Sequence, residues 1–206
     1  MFSDEDGKLA VRMARSTVEH HVKRMKQERF EVPQLFRQNM GVFVTLTTHP
    51  DDGLRGCIGY PEPVMPLEQA IRDSAISACA RDPRFPPVTA AELGSIKVEV
   101  SLLTPPEEIN AKRRTDLPGH VRVGTDGLIA QKGWARGLLL PQVPVELGWD
   151  AEEFVSQTCT KAGLTPDAWL DEDTKFFKFQ AEVFSEEEPR GEIRRRDLSE
   201  EHGSSN

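Results

Sequence analysis

A β-hairpin near the end of the first quarter of the chain constrains the fold more than any other feature of this sequence. Residues 41–48 (GVFVTLTT) are dense in β-branched residues and predict a strand. Residues 54–60 (LRGCIGY) predict the returning strand. Between them, residues 49–53 (HPDDG) contain Pro, two Asp and Gly, which favour a hairpin loop. Any fold for this chain must therefore be built around an antiparallel strand pair.

The remaining periodicity predicts three helices and several more strands. Apolar residues that recur every three or four positions predict helices that start near Ser3, run from about 66 to 80, and run from about 150 to 162. Further strands are predicted at residues 96–102, 121–124, 128–131, 137–140 and 177–183. Because strands and helices mix without a strict βαβ rhythm, we expect an α+β fold.

Composition and charge exclude several classes of protein. The chain has 206 residues and a net charge of −8, with an acidic N-terminus where a signal peptide would be basic. No stretch approaches the roughly 18 apolar residues that span a bilayer. The three cysteines form no CxxC pair, which argues against a disulfide framework or a zinc ribbon. We therefore expect a cytoplasmic protein without a membrane segment.

The C-terminal segment differs in composition from the rest of the chain. Residues 185–206 contain seven acidic residues and four arginines, and almost no apolar side chains. This segment predicts a disordered polar tail that follows a domain formed by residues 1–184. Two basic clusters, at residues 112–114 and 194–196, lack interleaved aromatic residues. We therefore interpret both clusters as solvated charges, and nucleic-acid binding has the weakest support.

The LRGCIGY strand holds the densest chemistry in the sequence. Alternate side chains of a strand share a face, so Arg55 and Cys57 should point the same way. Leu54 and Ile58 should then face a core. A guanidinium beside a thiol favours the thiolate, which is the nucleophilic form. This pattern predicts a reactive or ligand-contacting thiol with a lowered pKa, and an arginine that holds an anion.

The same strand also admits a structural interpretation. Gly56 and Gly59 would let either a ligand or a second backbone approach closely. Cys57 could simply fill core volume, as free cysteines often do. In that case Arg55 would pair with a structural carboxylate such as Glu99 on a neighbouring strand. The strand pattern by itself slightly favours this interpretation.

A nucleophilic cysteine usually needs a base, and two histidines are candidates. His49 lies in the hairpin loop and His120 lies in a Pro-Gly-His turn. No metal-ligand spacing, phosphate-binding loop, dinucleotide-binding fingerprint or serine-hydrolase elbow is present. Cys79 and Cys159 follow helical apolar spacing and are predicted to pack in a core.

Three further polar residues stand among rigid or apolar neighbours. Asp82 and Arg84 lie between prolines at the end of the second predicted helix, where a loop salt bridge is the expected role. Gln142 lies in an apolar run and needs either backbone or ligand partners if it is buried.

Six motifs together resemble one protein family. In chain order they are GVFVTL, LRGCIGY, DPRFPPV, VEVSLL, GLLLPQV and GWDAEEFVSQTCTKAGL. This set, spread over about residues 5–184, resembles the AMMECR-type domain family. The resemblance implies an α+β fold of two subdomains, with an antiparallel sheet flanked by helices and a pocket region near the LRGCIGY strand. The residues that it implies for that pocket are Arg55, Gly56, Cys57, Gly59, Asp82, Arg84 and Gln142.

The resemblance implies neither a reaction nor a cofactor. Relatives are associated with Memo-type dioxygenase-like and radical-SAM proteins, which implies a functional link of undefined chemistry. Two hypotheses follow for the present chain. It is either a small-molecule binder or enzyme that uses Arg55 and Cys57 in a cleft, or a non-catalytic scaffold that binds a protein partner.

Overall fold

A capping box starts the first helix. In the computed structural model of the protein, which describes residues 2–196, helix α1 (Asp4–Val22) has Ser3 as its N-cap. The Ser3 hydroxyl accepts from the Asp6 N–H, and the Asp6 carboxylate accepts from the Ser3 N–H. The predicted start of this helix is therefore confirmed.

The predicted hairpin forms strands β1 (Val42–Thr48) and β2 (Leu54–Tyr60). Strand β3 (Ile96–Leu103) pairs with β1 on its other side, and both pairings are antiparallel. This arrangement leaves β2 at the edge of the sheet. One face of the sheet is covered by α1 and by helix α2 (Leu67–Ala80).

The core under these helices follows from the alternation of β1 and β3. The side chains of both strands that face the helices are fully buried: Val42, Val44, Leu46, Val98, Val100 and Leu102. The opposite face of the same strands carries Phe43, Thr45 and Glu99, which are only partly buried. Because the helices cover one face of the sheet, the side chains of the other face are the ones available to contact a ligand.

Seven further helices and strands and four short 3-10 helices complete the described part of the chain. The remaining elements are β4 (Glu107–Glu108), β5 (Asp126–Lys132), β6 (Ala135–Leu139), α3 (Gln142–Glu146), α4 (Ala151–Lys161), β7 (Lys175–Glu186) and β8 (Ile193–Arg196), with short 3-10 helices at 34–37, 92–94, 114–120 and 168–170. The chain divides into two units. The first contains the described residues up to Leu103 together with Glu182–Arg196, and the second contains Thr104–Ala181.

The second unit has its own sheet and core. Strand β5 pairs with β6 and with the first half of β7, while β4 pairs with β7, all antiparallel. Helix α4 packs on β5 and β6. The buried core of this unit is apolar and aromatic: Ile109, Leu117, Leu128, Phe154, Trp169 and Phe176. The α+β prediction is confirmed.

The predicted disordered tail is wrong for residues 185–196. Strand β7 continues to Glu186, and β8 pairs with its last residues. Glu186 is buried and forms an ion pair with Arg15 of α1, and it also accepts the Val98 N–H at 3.0 Å. The charged composition obscured this strand in the sequence, because its charged side chains form ion pairs with one another, with α1 and with Glu99 of β3. Residues 197–206 lie outside the described part of the chain.

Two local predictions also fail. Residues 121–124 form no strand but a loop that leads into β5. Leu54, predicted to face the core, is 44% exposed because it lies at the outer end of the edge strand. Neither change affects the order of the major elements.

Candidate functional site

A β-bulge determines where Arg55 points. On β1, Leu46 pairs with Gly56 and the next residue, Thr47, pairs with Leu54, so Arg55 has no residue opposite it. A bulge of this kind interrupts the strict alternation of side chains and re-aims the extra one. Arg55 therefore does not lie beside the thiol of Cys57, as simple alternation predicts.

The re-aimed Arg55 side chain is buried and pairs with Glu92. Its Nε donates to Glu92 Oε1 at 2.8 Å, so the alternative partner Glu99 is also wrong. Glu92 in turn accepts from the N–H and hydroxyl of Thr89 at 2.7 and 2.8 Å. The Arg55 guanidinium, followed by these two donors, lowers the pKa of Glu92 to about 2.

One donor of Arg55 is not satisfied within the described chain. Its Nη1 is buried and has no hydrogen-bond partner. The guanidinium lies 5.9 Å from the centre of the Phe85 ring, and the guanidinium of Arg84 lies 5.5 Å from the same ring. Phe85 is thus contacted by both arginines, and the shared contact groups the three side chains into one cluster.

Asp82 and Arg84 cap the exposed edge of β2 at Cys57. The Cys57 N–H donates to Asp82 Oδ2 at 2.9 Å, and the Cys57 carbonyl accepts from Arg84 Nη2 at 3.2 Å. An edge strand presents unpaired backbone groups of this type. The two side chains supply the hydrogen bonds that a further strand would otherwise make.

The Asp82–Arg84 pair is itself rigid. Arg84 Nε donates to Asp82 Oδ1 at 3.0 Å and its Nη2 donates to Oδ2 at 2.7 Å, a bidentate geometry. The salt bridge predicted for these residues is therefore confirmed. The side chain of Asp82 is only 2% exposed, whereas that of Arg84 is 52% exposed. Arg84, followed by the Cys57 and Arg84 N–H groups, holds the pKa of Asp82 far below its usual range.

The Cys57 thiol is half-buried on the open face of the sheet. It lies opposite Thr45, whose hydroxyl donates to the sulfur at 3.3 Å. Burial raises the pKa of the Cys57 thiol, and the nearby carboxylates of Glu99 and Asp82 raise it further. Thr45 and Arg84 lower that pKa, but by less than burial raises it.

The predicted lowering of the thiol pKa is therefore wrong. The cation that acts on the Cys57 sulfur is Arg84, not Arg55, and its charge is compensated by Asp82. Cys79 and Cys159 are buried as predicted, and burial raises the pKa of each to about 11. Cys57 is the most accessible of the three free thiols.

The two glycines of the motif accommodate protein backbone. A Cβ on Gly56 would lie 2.2 Å from the Ala78 carbonyl oxygen of α2, and one on Gly59 would lie 2.2 Å from the Val42 carbonyl oxygen. The sequence allows either a ligand or a second backbone to approach these glycines. The structure places backbone atoms close to both positions. The glycines therefore shape the strand, and α2 can pack directly on β2.

The other predicted residues are not members of this cluster. His49 is exposed in the hairpin loop, four residues beyond Thr45, which corresponds to about 13 Å along a strand. His120 and Gln142 belong to the second unit, where His120 is exposed and Gln142 is half-buried at the start of α3. Within residues 2–196 no group of three His, Cys, Asp or Glu side chains could hold a metal ion, and no helix could span a membrane.

Three residues of the cluster were missed from sequence: Thr45, Phe85 and Glu92. Thr45 could have been found by pairing residues outward from the hairpin loop, because that count places it opposite Cys57. Phe85 lies within the DPRFPPV motif but carries no chemical signal of its own. Glu92 reaches Arg55 only because of the bulge, which no pattern in the sequence marks.

Comparisons with known proteins give a consistent result. The family model described as AMMECR1 matches residues 11–184. Protein MJ0810 of Methanocaldococcus jannaschii is 52% identical over 189 residues, which are 92% of this chain and 94% of that protein. The crystal structure of uncharacterized protein PH0010 from Pyrococcus horikoshii is similar at a TM-score of 0.83 and 51% identity, and it covers 95% of this chain and 98% of that one.

Proposed function

The chain belongs to the AMMECR1 family, and we propose that its LRGCIGY strand carries a noncovalent binding site for a small organic ligand. The site consists of Thr45, Cys57, Arg84 and Phe85, and the Arg55 guanidinium contacts the Phe85 ring. In this proposal Cys57 contacts the ligand as a neutral thiol and does not act as a nucleophile.

The geometry of Arg84 carries the proposal. Three side-chain hydrogen bonds fix its guanidinium, yet half of the side chain remains exposed beside a half-buried thiol. A guanidinium that is held in place before binding loses little conformational freedom when it donates to a ligand. Arg84 Nη1 makes no hydrogen bond within the described chain and is available to donate.

The charges of the cluster define the class of ligand. Each arginine is compensated by one carboxylate, Arg55 by Glu92 and Arg84 by Asp82, so the cluster carries no excess positive charge. The unused guanidinium donors therefore suit a carbonyl or a single carboxylate oxygen better than a multiply charged anion. The Phe85 ring, which both guanidinium groups contact, offers an apolar contact for the rest of the ligand.

Two alternatives have less support. Nucleophilic catalysis needs a thiolate and a base, whereas burial raises the Cys57 pKa and His49 makes no hydrogen bond to the sulfur within the described residues. Binding of a protein strand along β2 needs free edge groups, and at Cys57 these are used by Asp82 and Arg84. Three free cysteines fit a reducing compartment, which supports a cytoplasmic location.

A fragment screen monitored by amide chemical shifts tests the proposal. A library of carbonyl- and carboxylate-bearing fragments should give hits that shift the Thr45, Cys57 and Arg84 amides. Arg84→Gln should abolish those shifts, while Arg81→Gln, which removes an exposed cation three residues away, should retain them. Hits that leave these amides unmoved, or that bind equally well to Arg84→Gln, would contradict the proposed site.

A further inference from the structure

A basic groove on the second unit is separate from the LRGCIGY strand. Its cavity volume is ≈ 560 Å³, which is in the range of small-molecule sites. Its polar lining comes from two segments, residues 108–114 and 172–176, and it includes the basic cluster that the sequence displays at 112–114. We call this feature the basic groove.

The cations of the basic groove are not equally compensated. Lys175 pairs with Glu108 at 3.3 Å, and Arg113 pairs with Asp116 in a bidentate geometry at 2.8 and 3.1 Å. Lys112 and Arg114 have no carboxylate partner anywhere in residues 2–196. Two of the four cations that line the groove therefore have no carboxylate partner, and Glu172 is the one lining carboxylate without an ion pair in residues 2–196.

This local excess runs against the charge of the unit around it. Residues 104–181 contain nine Lys or Arg and twelve Asp or Glu, a net charge of −3. In a chain whose acids outnumber its bases, two unpaired cations in one concave site are not explained by the general surface composition. They indicate a site built for an anion.

Arg114 is held in place for binding. Its Nη2 donates to the backbone carbonyls of Glu172 at 2.5 Å and Thr174 at 2.7 Å. These bonds orient the planar guanidinium without neutralising it, because a carbonyl carries no net charge. The Arg114 Nε and Nη1 groups make no hydrogen bond within residues 2–196. The planar guanidinium holds these N–H donors in a rigid fork that can bind the oxygens of a phosphate.

We propose that the basic groove binds the phosphoryl group of a small phosphorylated molecule. A phosphate monoester places about 1.5–2 negative charges on one group at neutral pH, and Lys112 and Arg114 are the two lining cations without a carboxylate partner in residues 2–196 that can pair with it. Lys112 contributes a flexible ammonium, and Arg114 contributes the fixed fork. The nearest aromatic residue of the groove, Phe176, is buried, so no base-stacking surface for a nucleic acid is present there.

Titration of the full chain with pyrophosphate tests this inference, at constant ionic strength and with amide chemical shifts as the readout. Saturable shifts should appear at residues 108–114. Lys112→Gln should weaken binding about fivefold to tenfold, and Arg114→Lys, which keeps the charge but loses the fork, should weaken it similarly. Lys161→Gln removes an exposed cation of α4 outside the groove and should change affinity less than about twofold.

Three results would overturn the inference. The first is the absence of saturable binding to the wild-type chain. The second is an equal loss of affinity in Lys161→Gln, which would indicate nonspecific attraction. The third is tighter binding of a short single-stranded oligonucleotide than of pyrophosphate at the same amides. Lys112 is exposed and makes no hydrogen bond or ion pair within residues 2–196, so Lys112→Gln should fold normally. This variant keeps the test valid if Arg114→Lys fails to fold.

Discussion

At the scale of single residues, Asp82 organises the motif strand. Its two oxygens accept hydrogen bonds from the Cys57 N–H, from the Arg84 N–H and from the Arg84 guanidinium. The same carboxylate therefore caps the edge of β2 and fixes the exposed cation of the proposed site. The sequence shows Asp82 and Arg84 as a charge pair, but it does not show that the pair binds the backbone of Cys57.

Asp82→Asn should lower the free energy of unfolding by about 2–3 kcal/mol, because it leaves the Arg84 guanidinium and the Cys57 N–H with a weaker hydrogen-bond partner. The free energy of unfolding from urea denaturation measures this effect. Asp116→Asn is a matched control, since Asp116 also holds an arginine in a bidentate pair but lies at the surface. Equal destabilisation by the two substitutions would show that the edge cap contributes nothing.

At the scale of elements, sequence patterns predicted the main strands and helices well and the local irregularities poorly. The predicted bounds of the hairpin, 41–48 and 54–60, agree with β1 and β2 to within one residue. Residue type and periodicity carry that information, because β-branched runs and turn residues act locally. The bulge at Arg55 and the pairing of β8 depend on tertiary partners, and no local pattern encodes them.

Close packing of α2 on β2 depends on Gly56. Gly56→Ala would place a methyl group 2.2 Å from the Ala78 carbonyl oxygen, and backbone cannot move aside as a flexible side chain can. We expect a loss of about 3 kcal/mol of unfolding free energy. Gly94→Ala is the control, because nothing lies within 4 Å of a Cβ at that position. Thermal unfolding of both variants measures the difference, and a stable Gly56→Ala would contradict the packing described.

At the scale of the whole molecule, each of the two units has its own core and one of the two proposed sites. The proposed ligand site on the LRGCIGY strand belongs to the first unit, and the basic groove belongs to the second. The first has compensated arginines and a neutral thiol, and the second has uncompensated cations. The sequence indicated the first place as a motif, whereas the basic cluster at 112–114 was interpreted from sequence as solvated charge. The charge balance at each place depends on ion pairs that local sequence patterns do not show.

Acid should destabilise the first unit through its paired carboxylates. The pKa values of Glu92 and Asp82 are lowered in the folded protein, so the unfolded chain binds more protons in acid and the free energy of unfolding falls as pH falls. For Glu92 the loss occurs between its ordinary pKa of 4.5 and its folded value of about 2. It amounts to about 1–2 kcal/mol once solvent screening of this part-exposed pair is included.

Glu92→Gln should therefore flatten the acid limb of the stability profile in this pH range. Urea unfolding at a series of pH values measures the slope. Glu31→Gln, at an exposed loop carboxylate without an ion pair in the described chain, controls for the general loss of one charge. The same slope in Glu92→Gln as in the wild type would contradict the role given to the Arg55–Glu92 pair.

The pH dependence of Cys57 alkylation tests the central claim most directly, which is that this thiol is a neutral contact group beside Arg84 and not a nucleophile. Iodoacetamide labelling followed by peptide mass spectrometry gives the apparent pKa of each thiol. The wild-type protein should show a pKa for Cys57 above the ordinary 9.0, because burial outweighs the charge of Arg84. In Arg84→Gln the pKa should rise further. Rapid labelling at neutral pH with a pKa well below 9.0, or a pKa that falls when Arg84 is removed, would contradict the account.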